Sequence, residues 1–158
     1  MADPAECSAP CERHVAYTID SSFDAGERGL IEDAMRAWEQ GTGGRVCFSP
    51  GGKDLLIAKA DRAEYLAPVD AEWSRHVAYT KGSHIWFVRS AVTDPGMFRT
   101  LGIHELGHHL GLGHSEDVLL TYMHRTLDDA PLELRENALL PEHDRRAYCA
   151  KHRCTCDP

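Results

Sequence analysis

Apolar positions along this chain recur at two periods, and the changes of period mark off its elements. His14-Val-Ala-Tyr-Thr-Ile-Asp20 alternates as a half-buried strand does. Leu30, Ile31, Ala34, Ala37 and Trp38 then recur at helical spacing, behind a capping box of Asp24 and Glu27 and ahead of a stop at Gly41. That predicts an amphipathic helix packed on a sheet. Val46-Cys-Phe48 reads as a short strand ending at Pro50-Gly51-Gly52. In residues 54–60, Leu55, Leu56 and Ile57 are consecutive, the pattern of a buried parallel strand. Residues 61–73 show no clean period and read as a surface loop. Residues 76–80 and 84–88 are two strands joined by Lys81-Gly82-Ser83, a hairpin signal. Asp94-Pro95 pairs a cap with a first-turn proline and opens a helix predicted to run to about Leu112. Ile103, Leu106 and Leu110 fall opposite His104 and His108, so one face anchors in the core and the other is left for chemistry. His109 falls off that second face and reads as structural. Residues 125–140 have no regular period, and Asp128-Asp129-Ala-Pro131 within them is turn chemistry. Pro141 opens a last helix to about His152, with Ala147 and Tyr148 on one side.

One hexapeptide, Arg-His-Val-Ala-Tyr-Thr, occurs twice, at residues 13–18 and 75–80. Its flanks diverge, so these are two similar strands and not a domain repeat. A length of 158 residues suits one domain spanning 1–158. A domain of that size buries about 70% of the surface its unfolded chain exposes. Residues 1–12 form a cysteine-containing arm, and residues 115–158 a C-terminal subdomain with a Cys-rich tail. The net charge of -8 and the lack of a basic patch argue against a nucleic-acid partner. They favour a soluble monomer acting on neutral or basic substrates. No apolar run is long enough to span a bilayer, which excludes a helical membrane anchor within these residues.

The N-terminus lacks the basic start and apolar stretch of a signal peptide. Either a secretion signal has been removed or the protein is cytosolic, and six cysteines favour the secreted form. These are Cys7, Cys11, Cys47, Cys149, Cys154 and Cys156. Six cysteines allow fifteen pairings, so connectivity stays open. The expected picture staples the arm or Cys47 to the C-terminal tail. A second metal site built from the terminal cysteines is the rival, disfavoured by the Cys-x-Cys spacing of Cys154 and Cys156.

The densest chemistry lies in His104-Glu105-Leu106-Gly107-His108-His109-Leu110-Gly111-Leu112-Gly113-His114, which reads HExxHxxGxxH without a gap. Average residue usage makes such a register in a chain this long a matter of on the order of a few in a million. Four residues apart on a helix, His104 and His108 stand about 6 Å apart along the axis and about 40° apart around it. Two imidazoles so placed can close on one metal ion. Gly111 can take positive φ and turn the chain off the helix, letting His114 return as a third nitrogen ligand. Three protein ligands leave a fourth position for water, the mark of a catalytic zinc. Glu105, beside the ligand face, is placed to take that water's proton.

This run resembles the signature of the metzincin zinc endopeptidases, whose second mark is a methionine in a turn beneath the zinc. Met123, in Thr121-Tyr122-Met123-His124, stands in that place. The stretch Leu110-Gly-Leu-Gly-His114-Ser115 is most similar to the matrixins, in which a serine commonly follows the third histidine. The chain departs from matrixins at Arg125, where they usually carry proline. Astacins and serralysins carry a zinc-assisting tyrosine there, so Arg125 separates the chain from them as well.

The resemblance implies an α+β, zincin-like fold: a five-stranded twisted mixed sheet, two long helices, the second bearing the active site, a Met-turn, and a small C-terminal subdomain with a third helix. It implies a zinc-dependent endopeptidase acting on peptides and proteins, with one catalytic Zn2+ on His104, His108 and His114, Glu105 as general base, and Met123 as an apolar floor. The strand at 76–80 would form the cleft's upper rim, placing His76, Val77, Ala78 and Tyr79 against substrate, with Tyr122 from the Met-turn. The segment after the Met-turn would wall the pocket for the residue beyond the cut bond. Matrixins hold structural ions in the loop matching 61–73, but no Asp-x-Asp-x-Asp-Gly or His-x-Asp element occurs there, so structural Ca2+ or a second Zn2+ is unsupported. Matrixins are also kept latent by a pro-segment cysteine; Cys7 and Cys11 lie outside any such latch motif, and a disulfide is the preferred reading. The alternatives are a latent or inactive metal-binding interaction module of the same fold, and a small disulfide-stapled interaction domain without metal.

Overall fold

The computed structural model describes residues 11–60, 78–88, 95–115, 120–124 and 139–154. Its elements in chain order are β1 (Arg13–Ile19), α1 (Ala25–Gly41), β2 (Val46–Pro50), β3 (Leu55–Ala60), β4 (Ala78–Lys81), β5 (His84–Val88), α2 (Pro95–His109) and α3 (Glu142–His152). The five strands make one sheet in the order β2-β1-β3-β5-β4. Four of them run parallel, and β4 closes the row as an antiparallel partner of β5. This is the α+β mixed sheet with two long helices and a shorter third that the fold class required.

Local chemistry accounts for these elements. Asp24 caps α1 by accepting from the Glu27 N–H at 2.8 Å, while Glu27 accepts from the Asp24 N–H at 2.9 Å. The apolar stripe of α1, with Ile31, Ala34, Met35, Ala37 and Trp38, is buried. It meets α2 closely enough that a Cβ at Gly102 would stand 3.0 Å from the Ala34 Cβ. Trp38 is fully buried, and its indole N–H donates to the Ile103 carbonyl at 2.9 Å, satisfying the one polar atom it brings into the core. Val15, Tyr17, Ile19, Leu55, Ile57, Ile85 and Phe87 present the sheet's inner face to these helices. Phe23, Phe87 and Phe98 interlock there with ring centroids 4.6–5.9 Å apart.

The duplicated hexapeptide is used on opposite faces. In β1, Val15, Tyr17 and Ile19 point into the core. In β4, the residue matching Tyr17 is Tyr79, which pairs with Trp86 and stacks on it at 6.0 Å on the outer face. The inner positions go to Ala78 and Thr80, paired with the buried Phe87 and Ile85. A strand offset by one residue relative to its neighbours exchanges every side chain between faces. Here that exchange turns Thr80 toward α2.

Three expectations need correction. The helix predicted to reach Leu112 ends at His109, because Gly111 adopts φ +94° and reverses the chain. The hairpin is tighter than expected: β4 runs through Lys81, leaving Gly82, at φ +59°, and Ser83 as the turn. Among the described residues, Cys47 is not stapled to the tail. Cys11 pairs with Cys47, and Cys149 with Cys154. Residues 1–10, the loop expected at 61–73, His76 and Val77, the Asp94 cap, the segment 125–138 and Cys156 lie outside the described residues.

Candidate metal centre

Helix α2 carries the first two histidines of the motif, and its termination places the third. The Leu112 N–H bonds to the Gly107 carbonyl at 2.9 Å and the Gly111 N–H to the His108 carbonyl at 3.0 Å. Those two bonds around a left-handed glycine make a Schellman turn. The chain doubles back, and the imidazoles of His104, His108 and His114 converge. The Nε2 atoms of His104 and His114 stand 3.0 Å and 3.1 Å from the Nε2 of His108. Among the described residues this is the single group of three or more His, Cys, Asp or Glu side chains with metal-holding geometry.

The second nitrogen of two rings decides what those Nε2 atoms can do. His104 Nδ1 lies 2.6 Å from the Tyr122 carbonyl, and His108 Nδ1 lies 2.8 Å from the Leu112 carbonyl. A carbonyl only accepts, so each Nδ1 carries the proton and each Nε2 presents a lone pair. Lone pairs facing each other at 3.0 Å repel unless a cation lies between them. Tetrahedral zinc with nitrogens at about 2.0–2.1 Å would set its ligands about 3.3 Å apart, close to the spacing found. The donor set therefore fits a three-histidine zinc site. His104 is buried, His108 half-buried and His114 exposed, so the site opens on the His114 side.

Glu105 lies next to His104 and is only 5% exposed. Its carboxylate receives the Thr80 hydroxyl from β4, and the same oxygen of Thr80 stands 3.0 Å from the Glu105 main-chain carbonyl. Burial pushes the Glu105 carboxyl up to about 7, against a smaller lowering by Thr80. A carboxyl with such a pKa exchanges its proton near neutrality. Nothing in the hydrophobic pattern marked Thr80; the flip of the repeated hexapeptide brings it in.

The turn at Thr121–Met123 packs against α2. Met123 is 1% exposed, and a Cβ on Gly107 would collide with its sulfur and come within 3.1 Å of Trp38. Gly107, between His104 and His108 in sequence, is therefore the one residue small enough to admit the methionine. Asp144, from the first turn of α3, accepts from the Thr121 hydroxyl and from the Tyr122 N–H at 2.8 Å. The Met123 N–H donates to the Thr121 hydroxyl oxygen at 3.0 Å, and the Ser115 N–H to the Met123 carbonyl at 2.8 Å. Asp144 is wholly buried; burial raises its pKa, and the bonds from Thr121 and Tyr122 lower it in part.

Of the residues expected to meet substrate, Ala78 is buried on the inner face and Tyr79 lies on the outer face of the last strand. The Tyr122 side chain is buried, which pushes its hydroxyl up to about 12. Its carbonyl accepts from His104 Nδ1. His109 Nδ1 lies 3.2 Å from the Gly82 carbonyl, a structural contact with the hairpin turn, and burial lowers its pKa. Cys11, bonded to Cys47, has no free thiol to offer a metal.

No protein-family model matches the sequence, and no curated protein matches it significantly. Among solved structures, the chain is similar to high choriolytic enzyme 1 (HCE-1), a hatching enzyme zinc-protease from the medaka fish Oryzias latipes, with 22% identity and a TM-score of 0.43. The similarity covers 72% of this chain and 53% of that one, so this chain spans about half the length of that structure.

Proposed function

We propose that this chain is a zinc-dependent endopeptidase of the metzincin type, matrixin-like in the sequence around its third histidine. The observation that carries the reading is the convergence of three imidazoles, two of them with the Nδ1 proton held by a carbonyl, beside a buried carboxyl pushed up to about 7. Zinc held by His104, His108 and His114 would polarise a scissile carbonyl and lower the pKa of a water. Glu105 would take the proton of the attacking water on its carboxylate and hand it to the departing amine. Thr80 holds that carboxylate in place meanwhile. Positioned proton transfer of this kind contributes about 10²–10⁴-fold. The last strand of the sheet, β4, is where an extended peptide would add as a further strand, through the stretch carrying His76, Val77, Ala78 and Tyr79. Two cystines and the absence, among the described residues, of a helix long and apolar enough to cross a membrane support a secreted protein acting on protein substrates. One domain over residues 1–158, acting as a monomer with a single zinc, completes the proposal.

The deciding experiment incubates the zinc-loaded chain with a denatured protein. Cleavage should stop on adding a chelator, and should be absent in Glu105→Ala, which should still hold one zinc per chain. A zinc-loaded wild-type chain that cuts nothing would reduce the protein to a metal-bearing interaction module. Less than one zinc per chain after loading would remove the metal centre altogether.

A further inference from the structure

The three ligands are not equally secured. His104 and His108 are fixed by α2 itself and by the carbonyls on their Nδ1 atoms. His114 is exposed and follows the reversal at Gly111, a residue whose backbone tolerates conformations closed to other residues. Where His114 lands depends on the peptide plane joining Leu110 to Gly111, since rotating that plane swings everything beyond it. One side of the plane is held by the Gly111 N–H on the His108 carbonyl, at 3.0 Å. Its other side, the Leu110 carbonyl, receives His152 Nε2 at 2.6 Å from the last turn of α3, forty-two residues away in sequence.

His152 is held in turn. Its ring lies tilted against the buried Tyr148, centroids 4.4 Å apart, and Tyr148 packs on Trp38. The disulfide Cys149–Cys154 closes the helix end around it, with the Cys154 N–H on the Cys149 carbonyl at 3.1 Å. The neighbouring carbonyl at the end of α2, that of His109, receives Arg13 Nη2 from β1 at 3.3 Å. Two donors from distant elements thus close the last turn of the metal-bearing helix. Such donors suit its negative end.

We infer that His152 is a positioning residue for the third metal ligand: by donating to the Leu110 carbonyl it fixes the peptide plane that aims His114. The inference rests on the metal-centre reading and deepens it. Partners that orient metal ligands typically change metal affinity by about 10–100-fold when lost. His152 acts one step further out, through the main chain, and the lower end of that range, about tenfold, is expected.

The test measures zinc affinity by competition with a chromogenic chelator at fixed pH, in two backgrounds. His152→Phe keeps the ring against Tyr148 and removes the donor; zinc should bind about tenfold more weakly. His152→Gln returns an N–H donor and should recover most of the loss. In a His114→Ala background, where two histidines remain, His152→Phe should change the affinity no further. Equal weakening in both backgrounds would overturn the inference, showing general loosening of the fold; so would unchanged affinity in the wild-type background. If His152→Phe fails to fold, His152→Gln decides: a folded chain with tenfold weaker zinc binding despite its donor overturns the inference, and near-wild-type affinity supports it. A wild-type chain that takes up no zinc would remove the metal centre, whereas a zinc-binding chain indifferent to His152 would remove this inference alone.

Discussion

The sulfur of Met123 occupies the space that a side chain on Gly107 would need. Gly107 directly precedes His108 and lies three residues after His104, so the turn carrying Met123 touches α2 within the stretch that carries both histidines. Gly107→Ala should therefore force the buried Met123 side chain to shift against its neighbours. Overpacking of this kind costs about 1–3 kcal/mol. The variant should melt at a lower temperature without metal and bind zinc less tightly. A Gly107→Ala chain with wild-type melting and affinity would mean the floor yields freely.

Thr80 makes a separate prediction about turnover. Thr80→Val keeps the shape of the residue and removes the hydroxyl that Glu105 accepts. A hydrogen bond to a charged group contributes about 1.5–3 kcal/mol, so peptide cleavage should fall by about tenfold or more while zinc affinity stays put. Thr80→Ser should retain most of the activity. Loss of zinc from Thr80→Val would show that the hairpin shapes the metal site itself and not only its carboxyl.

Asp144 predicts how stability should move with pH. Burial raises its pKa, so the folded chain holds that proton more tightly than the unfolded chain. As pH rises past the ordinary value of 3.8, the unfolded chain releases the proton first, and the stability from neutral Asp144 is lost until the folded pKa is passed. His143 and His124 face the same carboxyl and favour its charged form, which opposes but does not reverse the rise. Asp144→Asn should thus compare better with wild type at about pH 7 than at about pH 4. A tenfold difference in proton affinity between the folded and unfolded chains corresponds to about 1.4 kcal/mol. Urea melts of the metal-free proteins at both values check it. The opposite trend would mean that the bonds from Thr121 and Tyr122 outweigh burial.

The two cystines should differ in weight. Cys11–Cys47 spans a sequence separation of 36 and Cys149–Cys154 one of 5. Loop-closure entropy assigns about 4 kcal/mol to the first and about 2 kcal/mol to the second. Replacing Cys11 and Cys47 by alanine should lower the urea midpoint more than replacing Cys149 and Cys154. Equal losses would point to native-state contacts and not to chain entropy.

Much of the fold could be read from residue patterns because its signals are local. The capping box at Asp24, the stripe from Ile31 to Trp38, the apolar run at Leu55 and the ligand register of α2 all act within a few residues of themselves. The partners of the site could not be read, because each is set by packing between distant segments. Asp144 looks like an ordinary acid in the first turn of a helix until burial gives it the Thr121 hydroxyl and the Tyr122 N–H. His152 looks like a basic residue near a helix end. Thr80 belongs to a hexapeptide whose first copy sends the matching residue, Thr18, to the outer face, so no alternation rule could have chosen its side. The cystine pairs were equally hidden, since fifteen connectivities satisfy the same six positions.

His104, His108 and His114 lie four and six residues apart in turn, whereas Thr80 is twenty-five residues from the carboxyl it bonds. Short loops close at little entropic cost and long ones at more, so on the proposed function the histidine cluster and the Thr80–Glu105 contact should form at different stages of refolding. A chain diluted from denaturant in the presence of cobalt should develop its coloured complex as soon as α2 and its reversal form. Hydrolytic competence should arrive later, with the docking of the β4–β5 hairpin. Colour and turnover appearing in a single phase would instead make the hairpin a precondition for gathering the imidazoles.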